Sequence, residues 1–266
     1  MDMPNAEIQR HLGALRLHGM KATLEPRLIQ ANQGASFVEV FACLVQDELD
    51  WRSSRLTETR FKASGLTERP TLTEFDWGFN PKLPKKEIYE LVSGKFIRDG
   101  DDALLIGAPG TGKSHIAKTV AHAAIQTGYK VVYREAHTFF EDLFEATQLK
   151  RRKKMTKLFS EADLLVIDDL FLRKKVNDHA TDDLLDIILN RYSSRKSSMI
   201  TSNRPLEDWG KLLYDNAASS VILDRLLHRG HLLKFEGKSY RLKEASVRLT
   251  ANKRKSQDEK GMSLDL

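Results

Sequence analysis

The chain has 266 residues and a single cysteine, Cys43, so it can form neither an internal disulfide nor a cysteine-cluster zinc site. That thiol falls in an apolar helical pattern, which predicts a reduced core group rather than a reactive one. No stretch approaches the ~20 consecutive apolar residues of a membrane span. Met1-Asp2-Met3-Pro4-Asn5 has an acid and a proline with no apolar signal core behind it, so the expectation is a cytoplasmic protein without membrane contact. Internal repeats are also missing. Prolines are scarce, and Pro70, Pro81 and Pro84 crowd with Gly78 into residues 67–84. That segment is too broken for long regular structure and reads as a connection between two folded parts. Phe75, Trp77 and Phe79 lie in it; they either pack on the core or approach a bound adenine, and core packing is the expectation.

What is present is concentrated in Gly107-Ala108-Pro109-Gly110-Thr111-Gly112-Lys113-Ser114, which matches the phosphate-cradling pattern G-x-x-x-x-G-K-[ST]. The flanks fit the context this loop needs. Ala103–Ile106 is a short apolar run of the buried-strand type, and Ile116, Val120 and Ala123-Ala124 recur at helical spacing until Thr127-Gly128. Glycines let backbone N–H groups converge on phosphate oxygens, and the helix start adds its positive dipole end. Lys113 would reach the β- and γ-phosphates of ATP, and Ser114 would ligate Mg2+.

Further strand candidates are Lys130–Arg134, Leu164–Asp168, Ser198–Ser202 and Leu232–Phe235, with helical patterns between them. This alternation predicts an α/β fold, a mainly parallel sheet covered by helices on both faces. Leu164-Leu165-Val166-Ile167-Asp168-Asp169 is an apolar strand ending in two carboxylates, which would project into the crevice where open α/β sheets bind ligands. Asp168 would hold the magnesium through water, and Asp169 would orient the attacking water. If the fourth strand inserts between the first and third, Asn203 lands beside the γ-phosphate, as the sensor asparagine of additional-strand P-loop ATPases.

Residues 1–70 read as a small helical N-terminal domain. Leu12, Leu15, Met20 and Leu24 fall near one face, and Gly34 breaks the pattern. Ser36 and Glu39 form a capping-box signature; Phe37, Val40, Phe41, Leu44, Val45 and Leu49 then predict a helix that buries a broad stripe. Residues 71–100 are the connection and first ATPase helix, 101–245 the ATPase core, and 246–266 a polar, disordered tail. The formal net charge is +6 with a pI near 9.2. Basic residues cluster at Lys150-Arg151-Arg152-Lys153-Lys154 and again at Arg173-Lys174-Lys175. Such clusters either neutralise nucleic-acid phosphates or form solvated helix faces.

The ordered set G-A-P-G-T-G-K-S, L-L-V-I-D-D-L, M-I-T-S-N-R-P, I-L-D-R-L-L-H and G-K-S-Y-R resembles the IstB family of transposition helper ATPases. That family belongs to the DnaA/DnaC initiator and helicase-loader clade of AAA+ proteins, and the similarity runs from about Leu15 to about Leu242. The resemblance implies an AAA+ three-layer core of the additional-strand type with a short C-terminal lid. It implies an arginine acting on a neighbouring subunit's site, matched by Arg225, with Arg191 as a second interface candidate and Arg241 as the second sensor. Asp169 stands where most AAA+ ATPases carry Glu, which implies slow, switch-like hydrolysis. An extra helical element, matched by Ala136 to Phe159, implies that Lys150–Lys154 face DNA. The implied partners are duplex DNA, a transposase, and further copies of the chain in a head-to-tail ring or helix. The alternative is a DnaC-like replicative helicase loader. A small-molecule P-loop kinase would need an acceptor pocket and lid, for which there is no signal.

Overall fold

The computed structural model describes residues 3–171, 180–213, 215–243 and 245–246. It divides into two compact units, Met1–Lys62 and Ala63–Leu266.

The first unit consists of helices α1 (Met3–Ala14), α2 (His18–Asn32) and most of α3 (Phe37–Ser64). The chain breaks between α1 and α2 because Arg16 takes a left-handed φ of 58°, and Gly34, at φ 101°, ends the approach to α3. The capping box forms as the spacing requires. The Ser36 amide donates to Glu39 Oε2 at 2.9 Å, and the Glu39 amide donates to Ser36 Oγ at 3.2 Å. The start of α2 lacks a local cap and takes one from α3 instead. Buried Glu48 accepts the Gly19 and Met20 amides at 2.7 and 3.3 Å. Burial alone would raise the Glu48 pKa, but Arg52 and these two amides outweigh it and lower it. Gly19 is required at this contact, because a Cβ there would stand 2.6 Å from the Asp47 carbonyl oxygen.

The expected stripe on α3 is not buried. Phe37, Phe41 and Leu49 are 81%, 54% and 56% exposed, and only Val40 of that set is inside. The period marks one face of the helix correctly, but the unit has only two other helices, and α2 docks around Val40 and Glu48. Cys43 is only half-buried on the same helix, so it is not a core thiol.

In the second unit, α4 (Lys85–Val92) and α5 (Lys95–Asp99) lead into alternating strands and helices. These are β1 (Asp102–Gly107), α6 (Lys113–Gln126), β2 (Val131–Glu135), α7 (Ala136–Gln148), α8 (Arg152–Glu161), β3 (Leu164–Leu170), α9 (Ala180–Ser193), β4 (Ser197–Ser202), α10 (Trp209–Leu212), α11 (Asn216–His228) and β5 (Gly230–Phe235). All five strands are parallel, in the order β2-β3-β4-β1-β5. The fourth strand is therefore inserted between the first and third, the additional-strand arrangement that the family resemblance implied. Strand alternation sends Leu104, Val132, Leu165, Ile167 and Ile200 to one face, where they pack with Phe139, Leu143, Phe159, Leu184, Ile187, Ile222 and Leu226 of α7, α8, α9 and α11. The opposite face is covered by α6, with α4 outside it.

Two of the charged groups buried in this unit brace the sheet. Arg191 is 1% exposed and donates to the carbonyls of Phe159 (2.6 Å), Ala162 (2.9 Å) and Ser197, and to Ser198 Oγ. This corrects its assignment to a subunit interface: the guanidinium ties α8 and α9 to β4, and burial pulls its pKa down to about 9. Asp102 accepts the Ser198 amide at 2.6 Å, and burial pushes its pKa up to about 6. The folded protein thus holds this proton more tightly than the unfolded chain. The stabilisation is complete below the usual carboxylate pKa and is lost as the pH rises through about 6. Asp102→Asn is therefore expected to gain on the parent by about 2 kcal/mol between pH 4 and pH 7 in urea melts. A gap that does not change with pH would refute this account.

Candidate nucleotide site

The cradle is built at the C-terminal end of β1. Gly110 and Gly112 adopt left-handed φ values of 77° and 106°, which only glycine takes without strain, and α6 starts at Lys113. A Cβ at Gly107 would collide with the Phe235 carbonyl of β5, so neither strand could keep its place beside the other. The first amides of α6 have no helical partner and face the loop, as an anion site requires. Lys113 is 4% exposed and folds back onto the loop, donating to the carbonyls of Gly107 and Ala108 at 2.8 and 2.9 Å. Burial lowers its pKa, against the pull of Asp169 and Asp168. Thr111 Oγ1 braces the turn by donating to the Ala108 carbonyl at 2.8 Å.

Asp168 and Asp169 lie at a bulge. The register between β3 and β4 shifts between Ile167 and Leu170, and Asp169 has a left-handed φ of 56°. The bulge sends the two carboxylates to different surroundings. Asp168 is 3% exposed; it accepts Tyr133 Oη at 2.6 Å on one oxygen and Thr201 Oγ1 on the other. Burial and the adjacent Asp168 charge push the Tyr133 pKa upward, so the phenol stays protonated and donates. Asp169 is half-buried. Desolvation, then the Asp168 charge, raise its pKa, while Lys113 and Arg241 pull it back. Arg241 also acts on Lys113. These charges therefore share one site with the loop.

Asn203 follows β4 at the same end of the sheet, and its Oδ1 is buried without a partner among the described residues, as is Nε of the adjacent Arg204. An orphaned amide oxygen here fits a water, which can donate a hydrogen bond to it. For a hard cation, the available donors are the Ser114 hydroxyl and the Asp168 carboxylate, both oxygen groups as magnesium prefers. Among the described residues no cluster of three or more His, Cys, Asp or Glu is arranged to hold a metal, so phosphate and water would have to complete the coordination.

The connecting aromatics do not enter the core. Phe75 lies against the loop, where a Cβ on Gly112 would stand 2.9 Å from its ring, and it contacts Trp77 and His115 at 4.8 and 5.5 Å between centroids. Phe79 meets Tyr240 at 5.2 Å. Asn80 exchanges two bonds with the backbone of Lys238, at 2.9 and 3.0 Å, and Asp76 pairs with Lys243 at 3.0 Å. The Tyr240 amide in turn donates to the Gly110 carbonyl at 2.9 Å. Composition near Pro70 and Pro84 indicated a linker; its bonding to a segment some 158 positions away could not be read from it.

Residues matching IstB-like ATP binding protein cover 10–248. The chain belongs to the IstB-like ATP-binding family. Among IstB-like relatives, the protein of insertion sequence IS21 from Pseudomonas aeruginosa, named for ATP binding, is 31% identical over 239 residues, 90% of this chain and 89% of that protein. Its counterpart in IS5376 of Geobacillus stearothermophilus is 32% identical over 222 residues, 84% and 87% of the two chains. Two solved structures share the fold. AMPPCP-bound DnaA from Aquifex aeolicus has a TM-score of 0.54 at 23% identity, covering 70% of this chain and 56% of that one. The DnaC helicase loader has a TM-score of 0.51 at 21% identity, covering 67% and 99%. The core of this IstB-like chain is thus an α/β P-loop sheet of the DnaA/DnaC AAA+ type, preceded by a helical region. No helix among the described residues is long and apolar enough to cross a membrane.

The remaining residues singled out in the sequence lie away from the cradle. Arg225, on α11, pairs with Asp224 at 3.0 Å and lies 4.9 Å from the Tyr192 ring centroid; Arg229 lies 5.2 Å from the same ring. In the basic block, Lys150, Arg151, Lys153 and Lys154 are exposed in and after the α7–α8 turn. Arg152 turns back to α9, where Nε donates to Asp183 at 3.2 Å and the same guanidinium reaches Asp186. Two acids one helical turn apart on α9 engage it, so its charge is partly balanced within the chain. Arg173 and Lys174, like the tail after residue 246, lie outside the described residues.

Proposed function

We propose that this chain is a magnesium-dependent ATPase that assembles head-to-tail on duplex DNA in its ATP state, bends the DNA and stimulates a partner transposase. The observation that carries the reading is the convergence of Lys113, Asp168, Asp169 and Arg241 on one glycine-built cradle, with the unpartnered Asn203 oxygen at the same end of the sheet. Gly107 to Ser114 would wrap the triphosphate, and Lys113 would exchange its two carbonyl partners for phosphate oxygens. Ser114 and Asp168 would hold magnesium, which when bound offsets phosphate charge. Asp169 would orient the attacking water, with Asn203 beside it and Arg241 sensing the γ-phosphate. Arg225 is partly exposed, held by Asp224 and the Tyr192 ring, and absent from the charges acting on Lys113 or Asp169, which suits action on a neighbouring copy. Lys150, Arg151, Lys153 and Lys154 are the charges available for DNA phosphates, and the N-terminal helices are the region for partner and assembly contacts.

The transposase is inferred from relatives named for insertion sequences. Support for nucleic acid comes from a related fold described as DnaA bound to AMPPCP and single-stranded DNA. The site of action would be the cytoplasm, where DNA and ATP meet. Contacts to phosphates predict binding that ignores sequence and weakens steadily with salt. Electron microscopy of the protein with duplex DNA tests the reading: rings or filaments are expected with ATP and none without it. Protein that stays monomeric with either would overturn the proposal. A pull-down against a transposase and a hexameric helicase separates the helper from a helicase loader.

A further inference from the structure

We propose that Tyr133 and Thr201 are positioning residues that hold the Asp168 carboxylate by both of its oxygens, one from each neighbouring strand, in the orientation a hydrated divalent cation requires. The proposal rests on the reading of Asp168 as part of a magnesium–ATP site.

Parallel pairing and alternation bring the three side chains together. Tyr133 on β2, Asp168 on β3 and Thr201 on β4 stand on the α6 face of adjacent strands. Tyr133 Oη donates to Asp168 Oδ2 at 2.6 Å, and Thr201 Oγ1 donates to Oδ1. A carboxylate offers about four acceptor sites, so two hydroxyl donors leave sites on both oxygens for the waters of a cation. Without them the side chain could rotate, and a buried anion would lose the donors that make its burial tolerable.

Thr201 does more than satisfy a buried charge. Its oxygen also accepts the Asp169 amide at 2.8 Å, a backbone group that the bulge has released from the ladder. One hydroxyl thus orients Asp168 through its proton and holds the left-handed turn at Asp169 through its lone pair. Because Thr201 is two residues before Asn203, it sets the spacing between both carboxylates and the unpartnered amide oxygen. A valine at 201 keeps the shape and removes both bonds, serine keeps both, and phenylalanine at 133 removes only the hydroxyl.

The experiment measures Mn2+ binding to the protein–ATP complex by electron paramagnetic resonance. Alongside it, binding of a fluorescent ATP analogue is followed in the presence of a chelator. Outer partners of a metal ligand are worth ~10–100-fold in metal affinity, so Tyr133→Phe and Thr201→Val are expected to weaken Mn2+ by that factor. Chelated nucleotide binding should be unchanged, and Thr201→Ser should hold Mn2+ as the parent does. Parental Mn2+ affinity in both Tyr133→Phe and Thr201→Val overturns the positioning role. Parallel loss of nucleotide binding overturns it too, by assigning the hydroxyls to folding. Asp168→Asn distinguishes the two levels: if it leaves Mn2+ affinity intact, the site reading itself fails.

Discussion

Arg225→Ala is expected to lower DNA-stimulated ATP turnover about 10³-fold while leaving ATP binding by a single protomer unchanged, since arginines supplied between subunits contribute ~10³–10⁵ in rate. The geometry explains why the loss would be confined to the assembled state. Arg225 is held against Asp224 and the face of Tyr192 of α9, while Arg241 is the guanidinium acting on Lys113 and Asp169 of the same chain. Lysine at 225 should not substitute, because a point charge cannot reproduce a planar fork stacked on a ring. A mixing experiment isolates the effect. Arg225→Ala protomers retain a working cradle, and Asp169→Asn protomers, which lack the water-orienting carboxylate, retain both ATP binding and the arginine. Combining the two inactive proteins should restore a fraction of the turnover, and no recovery would remove Arg225 from its intersubunit role.

Lys113→Ala is expected to abolish ATP binding, and with it assembly on DNA. Two charge-assisted contacts to phosphate at about 1.5–3 kcal/mol each correspond to 100-fold or more in affinity. The fold should survive the change. The ammonium is buried with a lowered pKa, and among the described residues it bonds to two loop carbonyls, so its removal takes away an unfavourable desolvation along with those bonds. Thermal melts read both effects at once. ATP at 100 times its Kd should stabilise the parent by about 2.7 kcal/mol and the variant not at all. A variant that still gains stability from ATP would mean the lysine does not reach the phosphates.

The features legible from the sequence are those encoded within about ten neighbouring residues. The phosphate loop is a local turn problem solved by glycines, and the capping box at Ser36 and Glu39 involves one helical turn. The five strands announced themselves as short apolar runs, whereas insertion of the fourth between the first and third came from the family resemblance and not from the runs themselves. Features that depend on long-range pairing were not legible. Arg191 looked like an exposed interface residue because nothing near it reveals that carbonyls from α8 and the start of β4 converge on it. Arg152 looked free because its acids lie 31 and 34 positions away. The α3 pattern marked an apolar face correctly, but periodicity does not say what covers it. Tyr133 and Thr201 were missed for the same reason, although alternation could have found them once the strand order was known.

Asn80 with Lys238, Asp76 with Lys243 and Phe79 with Tyr240 join two stretches that flank the ATP-binding core in sequence, directly above the cradle. Like the two halves of a buckle, neither stretch can swing aside while the other stays fixed. The Tyr240–Gly110 bond fastens the same buckle to the phosphate loop, so within this unit the loop and both flanking stretches are tied together.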